Sequence, residues 1–221
     1  MAGIFTKDLF DFLRDLEKNN DRGWFKANKH RYEEHVKEPF LEFITAVDPE
    51  LAKINRNIVA DPRPSGGSMF RIHRDTRFSK DKTPYKTNAG AHFQVGGKGV
   101  HGPGYYLHID RTESFVGGGM WMPGSPQLKM IRDRIIAKPA EWRKAKKAFT
   151  EHEEYRLKRP PKGYDPDHPL IEDLKNKSFT GGVSLTQKQI TSPDFPKTFI
   201  SGCKEVTPLI AFLAKAVKAP W

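Results

Sequence analysis

The sequence predicts an α+β fold in which an antiparallel meander of about four to six strands is covered by N-terminal and C-terminal helices. Three observations favour this fold. Apolar residues recur at helical spacing in the first 50 residues, short alternating segments follow between residues 69 and 122, and helical spacing returns after Pro123. Because no helix separates the last three alternating segments, they should pair as antiparallel neighbours.

The N-terminal part is predicted to be helical. Thr6 is a good N-cap for a helix that ends near Lys18. Its apolar stripe consists of Leu9, Phe12, Leu13 and Leu16. A second helical segment follows over residues 22–51, and Pro39 should kink or divide it, because proline cannot donate the helical hydrogen bond.

The central part has the alternation and the turn residues of short strands. The predicted strands are residues 69–75, 91–95, 105–110 and 114–122, with a further short strand at 182–185. Within the fourth strand, Gly117, Gly118 and Gly119 would weaken pairing unless a bulge or the close approach of a ligand needs them. They indicate either the floor of a groove or a bulge without a ligand.

The C-terminal part combines helices with an irregular passage. Helices are predicted over residues 125–138 and 139–149, and a final helix should begin at Thr207, with Pro208 in its first turn. Residues 151–200 are rich in proline and should wrap around the rest of the molecule. Residues 4–218 are therefore expected to form one α+β domain, with residues 151–200 as a segment within it.

Composition restricts the class of protein. The 221 residues carry 38 Lys and Arg against 27 Asp and Glu, a net charge of +11. This charge makes phosphate-bearing partners plausible but specifies none. The single cysteine, Cys203, excludes an internal disulfide and fits a reducing compartment. With no signal-peptide pattern and no apolar run of about 18 residues, the sequence predicts a cytoplasmic protein without a membrane partner. No cofactor is predicted.

The segment RIHRDTRFSKDKTPYKTN, residues 71–88, concentrates positive charge around one predicted turn. The candidate ligand-binding cations are Arg71, Arg74, Arg77, Lys82 and Lys86. Arginine forks match phosphate or carboxylate oxygens, and Asp75 could orient them. Two alternatives remain open: an internal ion-pair network with Asp75, Asp81 and acids near Glu33, or a solvated loop.

Histidines are the other candidates for chemistry. If neighbouring strands are in register, His73, His92 and His108 could share a polar sheet face and hold a metal. None has a ligand partner nearby in the sequence, so structural histidines are favoured and no metal is predicted. His108, together with Asp75, is the candidate for proton transfer. The GxGxxG match at Gly97, Gly99 and Gly102 precedes a strand rather than a helix, which argues against a dinucleotide site.

A nucleic-acid-binding module is the alternative function. It would use the same cationic segment together with Lys144, Lys146 and Lys147 of a basic helix, the helix predicted over residues 139–149. The candidate stacking residues are Tyr85, Tyr106 and Trp121, of which Tyr106 and Trp121 are also candidate contacts for a small ligand. A pocket requires convergent, partly buried cations, whereas nucleic acid requires a continuous basic stripe.

Several long motifs resemble one known family. The stretches NNDRGWFKANKHRYE, RIHRDTRFSKDKTPYKTN, PGYYLHID, FVGGGMWMP and RPPKGYDPDHPL are similar to the domain-of-unknown-function 2461 family of bacterial and fungal proteins. The resemblance implies one family domain over residues 4–218 and carries over no catalytic role, cofactor or substrate. Whether the protein is an enzyme therefore stays open at the level of sequence. The family signature positions would be Trp24, Phe25, Asn28, Lys29, Tyr32, Arg71, Arg74, Asp75, Arg77, Phe78, Lys82, Pro84, Tyr85, Lys86, Tyr106, His108, Gly118 and Trp121.

Overall fold

A computed structural model describes residues 3–97 and 101–221. These residues form a five-stranded antiparallel sheet in which the strands neighbour one another in sequence order. The strands are β1 (Ile58–Val59), β2 (Ala89–Val95), β3 (Gly104–Ile109), β4 (Ser114–Met120) and β5 (Phe179–Leu185). With helices packed on one face of this meander, the predicted α+β fold is confirmed.

The N-terminal helices follow the predicted apolar pattern. They are α1 (Lys7–Lys18), α2 (Arg22–Ala27), α3 (Lys29–Tyr32), a π-helical turn (Glu33–Lys37) and α4 (Glu38–Ile54). Thr6 caps α1 as predicted, because its hydroxyl accepts a hydrogen bond from the Asp8 amide. Pro39 lies in the first turn of α4, where a missing N–H costs no helical hydrogen bond, and the π-helical turn directly precedes it.

The remaining helices are α5 (Ser125–Ala137), α6 (Pro139–Ala145), α7 (Ile171–Leu174), α8 (Gln187–Ile190) and α9 (Phe195–Val217). The prediction that the last helix begins at Thr207 is wrong. It begins at Phe195, with Pro196 in its first turn. Thr207 lies inside it and donates a hydrogen bond to the Cys203 carbonyl oxygen at 2.8 Å, so the Thr-Pro pair that resembles a cap is internal.

The predicted strand over residues 69–75 is an extended segment with isolated bridges instead. Met69 bridges to Ala91 and His73 bridges to Tyr85. The Phe70 amide donates to the Gly90 carbonyl at 2.9 Å. The segment therefore runs antiparallel to residues 84–91 without a continuous ladder. Residues 75–83, which include most of the turn predicted over residues 79–84, form an irregular bend between these extended segments.

The two faces of the sheet differ in what covers them. On β3, Tyr105, Leu107 and Ile109 are buried, whereas Tyr106 and His108 alternate with them on the other face. Helix α9 crosses the first face so closely that a Cβ atom at Gly202 would collide with Val116. A second apolar cluster surrounds Trp142 of α6 and joins α5 to the C-terminal half of α9.

Within residues 151–200, only part is irregular, because β5 and the start of α9 fall inside this range. The single-domain boundary at residues 4–218 stays a prediction. Among the described residues, no helix combines the length and apolar character needed to cross a bilayer.

Candidate functional site

The strand register arranges the uncovered face of the sheet in three rows across β2 to β5. Residues directly opposite one another on antiparallel strands point to the same side of a sheet. The rows are Gln94–Gly104–Gly119–Thr180, His92–Tyr106–Gly117–Gly182 and Gly90–His108–Phe115–Ser184. Four of the eight positions in the first two rows are glycine, so the middle of this face is a depression.

A groove of about 750 Å³ occupies this depression. That volume is in the range of small-molecule sites. Its aromatic lining consists of Phe70, Tyr106, Phe115 and Trp121, and its polar lining consists of His92, Glu113, Thr150, His152, Thr180 and Ser184. We refer to this feature as the open-face groove.

The glycine triplet, Gly117 to Gly119, lies between the two faces of the sheet. Gly117 and Gly119 line the groove. Between them, a Cβ atom at Gly118 would lie 2.8 Å from Cδ1 of Ile210 on α9. Gly119 also has a φ of +139°, a conformation that other residues rarely adopt. The triplet therefore combines a groove floor with the close approach of a helix.

Phe70 forms the wall at the β2 end of the groove. Its ring centroid lies 6.3 Å from that of His92 and 5.7 Å from that of Tyr106. The Lys86 ammonium lies 5.2 Å from the Phe70 ring centroid, a cation–π contact. Burial lowers the pKa of Lys86, and the positive charge of Arg71 lowers it further. Among the described residues, neither Lys86 nor Arg71 has an ion-pair partner.

Trp121 forms part of the wall at the β5 end. Its ring lies 4.7 Å from Tyr155 and 5.6 Å from His152, edge-on in both cases. The His152 Nε2 atom and the Thr180 hydroxyl are hydrogen-bonded at 2.9 Å. The next residue, Met122, has a φ of +43°, which is strained for a residue with a side chain. This end of the groove thus holds an exposed indole beside a paired imidazole and hydroxyl.

Burial disfavours the charged form of two histidines on the open face. Burial lowers the pKa of His92, which makes no hydrogen bond to another described residue. Burial also lowers the pKa of His108, although the charges of Asp110 and Glu113 oppose this effect. His108 accepts or donates a hydrogen bond at 3.1 Å to the Tyr106 hydroxyl, and its ring stacks on Phe115. His92 lines the groove, whereas His108 lies beside it.

Three of the five predicted ligand-binding cations are held within their own loop. Arg77 pairs with Asp75, with 2.6 Å between Nη2 and Oδ2. Arg74 pairs with Asp81 and also donates to Thr83. Lys82 donates to the Thr76 carbonyl oxygen at 2.8 Å. The Arg74 hydrogen bond is the main reason that the pKa of Asp81 falls to about 2. These cations match the internal network that the sequence left open, although the acid near the N-terminal helices, Glu33, pairs with Lys29 and Lys37 instead.

Some of the predicted site residues therefore lie at the groove, and others do not. Tyr106 and Trp121 line the groove, Lys86 contacts its Phe70 wall, and the charge of Arg71 acts on Lys86. The interpretation of Tyr85 as a stacking residue is wrong, because its ring is buried and stacks on Phe25 with centroids 4.1 Å apart.

The predicted histidine cluster does not form among the described residues, and the basic helix lies apart from the groove lining. His73 packs on Tyr85 rather than beside His92 and His108. The part of the chain that the structure describes contains no cluster of three or more His, Cys, Asp or Glu side chains able to hold a metal. Lys146 of the basic helix pairs with Asp173 at 2.6 Å. Gly99 of the GxGxxG match lies outside the described residues.

Sequence reasoning missed seven side chains of the lining: Phe70, Glu113, Phe115, Thr150, His152, Thr180 and Ser184. The alternation of Thr180, Gly182 and Ser184 would have indicated a small, polar strand face if β5 had been predicted from Phe179. The position of His152 depends on a long connection that returns to the sheet, where the Thr150 amide donates to the Thr180 carbonyl at 2.8 Å. No local pattern predicts that contact.

Comparison with known proteins identifies the family of the chain. No curated protein matches the chain significantly. The model of a protein family described as "Conserved hypothetical protein (DUF2461)" matches residues 8–212. Since this match covers nearly the whole chain, the protein belongs to the DUF2461 family.

Proposed function

We propose that the open-face groove binds a small organic ligand that carries a phosphate or carboxylate group. The body of the ligand lies on the glycine floor between Phe70 and Trp121, and its anionic group reaches Lys86 and Arg71. Binding sites of this kind are mostly apolar, with a few polar groups that fix orientation, and the lining of the groove has this character.

The proposal rests on the surroundings of the Lys86 ammonium group. Its ammonium packs on a groove-lining ring, is partly buried, and has Arg71 rather than a carboxylate as its charged neighbour. Two adjacent cations repel each other, and partial burial adds to the cost of the charged form. An anion at this position would relieve both effects. Arg74 and Arg77, a few residues away, already have carboxylate partners.

Binding is the proposed activity, and a reaction in the groove would depend on His92. A neutral imidazole that lines the groove and has no hydrogen-bond partner among the described residues can accept a proton from a ligand. His108 could act only through the Tyr106 hydroxyl. Asp75 is occupied by Arg77. The proposal also keeps the predicted cytoplasmic location, which the single buried thiol, Cys203, supports.

A thermal-shift screen tests this proposal. Inorganic phosphate, sugar phosphates, nucleotides and small carboxylic acids are added to the protein, and at least one is expected to raise the melting temperature. The Lys86→Met variant keeps the apolar contact with Phe70 but loses the charge. We expect it to bind the selected compound at least about tenfold more weakly, since a charged hydrogen bond is lost.

Arg77→Ala is the matched control, because it removes an exposed arginine of the same segment that is already paired with Asp75. It should bind the compound as the wild type does. A screen without any hit, or a Lys86→Met variant that binds as tightly as the wild type, would refute the proposal.

A further inference from the structure

The turn over residues 75–83 displays a phenylalanine to solvent. Phe78 is 96 % exposed, whereas Trp121 and Phe70 are 55 % and 45 % exposed. Single exposed apolar residues are common on proteins, but a ring with almost its whole surface in water is unusual. It lies outside the lining of the open-face groove, so the groove does not account for it.

The turn is braced on both sides of this ring. Before it, Asp75 accepts hydrogen bonds from the backbone amide and the guanidinium of Arg77. After it, Lys82 donates to the Thr76 carbonyl oxygen, and the Ser79 amide donates to the same oxygen at 3.3 Å. Since the contacts converge on the backbone of the turn, the exposure of Phe78 follows from a defined loop conformation.

One cation contacts the exposed ring, and a second follows closely in the sequence. The guanidinium carbon of Arg77 lies 5.8 Å from the Phe78 ring centroid, and the high exposure of the ring leaves its other face open to a partner. Lys80, two residues further on, has no ion-pair partner among the described residues. The whole chain is also strongly basic, with a net charge of +11. The tip therefore offers an open aromatic face beside positive charge.

This combination selects one class of partner over two others. Insertion into a membrane requires several apolar side chains together, but the neighbours of Phe78 are Arg77, Ser79 and Lys80. An apolar pocket on another protein would favour a tip with less charge around the ring. Unpaired nucleobases stack on exposed aromatic rings while the adjacent phosphates contact Lys and Arg. Duplex bases are already stacked and do not offer such a face.

We propose that Phe78, with Arg77 and Lys80, forms a contact site for single-stranded nucleic acid, in which the ring stacks on an unpaired base. This goes beyond the groove proposal, since it involves a different part of the surface and a polymeric ligand. The paired arginines then have a structural role: they fix the loop that presents the ring.

Fluorescence anisotropy with a labelled 12-nucleotide single-stranded DNA at low salt tests the site. Phe78→Ala and Phe78→Leu are expected to weaken binding about tenfold or more, since each removes one base–aromatic stack. Phe78→Trp should bind at least as tightly as the wild type. Leucine keeps apolar surface but lacks a π face, so it separates stacking from simple apolar burial.

The charge contribution is measured from the salt dependence. Lys80→Ala should reduce the slope of log K against log salt concentration by about 0.7, the value for one phosphate contact on a single strand. The matched control is Lys197→Ala, an equally exposed lysine on α9 that is paired with Asp194. It should leave both the affinity and the slope unchanged.

The site would be overturned if no oligonucleotide binds at low salt, or if Phe78→Leu binds the oligonucleotide with wild-type affinity. It would also be overturned if the protein binds phosphatidylserine vesicles instead of the oligonucleotide and Phe78→Leu still binds these vesicles. The ring is exposed, so its variants should fold, and circular dichroism checks this. The groove compound should shift the melting temperature of Phe78→Ala as it does that of the wild type. Failure of the loop site and failure of the groove proposal are thereby distinguished.

Discussion

The two faces of the sheet are built from the same strands and use glycine in opposite ways. On the covered face, Gly118 and Gly202 lie where α9 meets β4, and the space that their missing side chains leave is filled by Ile210 and Val116. On the open face, Gly117 and Gly182 lie side by side, and the space above them is the groove. Glycine therefore allows close packing on one face and leaves a cavity on the other.

Substitutions on the covered face should therefore affect mainly the stability of the fold, and substitutions on the open face should affect mainly ligand binding. A side chain added on the covered face must displace protein atoms that pack as densely as a crystal. A side chain added at Gly182 on the open face extends into the groove, where it displaces solvent or a ligand, and its Cβ atom would approach one protein atom closely, the Val116 carbonyl oxygen at 3.1 Å. The structure thus predicts that substitutions of equal size on opposite faces of one sheet have different consequences.

The largest expected effect is on the covered face. Gly202→Val should lower the free energy of unfolding by about 3 kcal/mol, because its Cβ atom would overlap Val116 and the interface cannot relax fully. Gly182→Val is the matched variant on the open face. Gly182 is exposed, and its Cβ atom would lie 3.1 Å from the Val116 carbonyl oxygen, so we expect a smaller loss of about 1 kcal/mol. Urea denaturation measures both, and equal losses would contradict the contrast between the faces.

Adjacent tyrosines of β3 give a smaller and sharper comparison. The buried Tyr105 hydroxyl is hydrogen-bonded to Thr207 of α9 at 2.9 Å, so Tyr105→Phe should cost about 1 kcal/mol of stability. It should leave ligand binding in the groove unchanged. Tyr106→Phe removes a half-buried hydroxyl that lines the groove, and it should affect ligand affinity more than stability. The reverse pattern in denaturation and binding measurements would place the ligand elsewhere.

The smallest expected effect is a pH dependence that originates on the open face. Burial lowers the pKa of His92 in the folded protein, so the unfolded chain binds this proton more readily. The resulting stability is fully present above the ordinary histidine pKa of about 6.5 and is lost as the pH falls from there through the folded pKa. Denaturation at pH 7 and pH 5 should show this loss, and His92→Gln should reduce it. An equal loss in the variant would exclude His92 as its source.

Local patterns predicted the elements that bury one face. The stripe of Leu9, Phe12, Leu13 and Leu16 lies on α1, and all four residues are buried. The alternation of residues 91–95 and 105–110 lies on β2 and β3. In these cases the hydrophobic period and the burial have the same cause, so the sequence is informative.

Sequence patterns gave wrong predictions where two different structures produce the same local pattern. Residues 69–75 have the alternation of a strand, but their core contacts come from Met69 and Ile72, three residues apart, and no continuous ladder forms. The Thr207–Pro208 pair resembles a helix start but lies within α9. The glycine triplet indicated a groove floor, but the rest of the lining was beyond prediction for a different reason: it comes from several separate segments, and only strand register brings them together.

The pairing of the cations was equally inaccessible. Sequence alone could not distinguish Arg71 from Arg74 and Arg77, because all three lie in one basic segment with two aspartates. The loop geometry assigns Asp75 to Arg77 and Asp81 to Arg74, whereas Lys86, on the Phe70 ring, has the positive charge of Arg71 as its neighbour.

The most direct test of the central claim compares Gly182→Val with the wild type, using the compound selected by the thermal-shift screen. The variant fills the floor of the groove but touches neither Lys86 nor Arg71. We expect that its melting temperature without ligand is close to that of the wild type and that the compound no longer raises it. An equal shift in both proteins would show that the ligand does not occupy the groove and would contradict the proposed function.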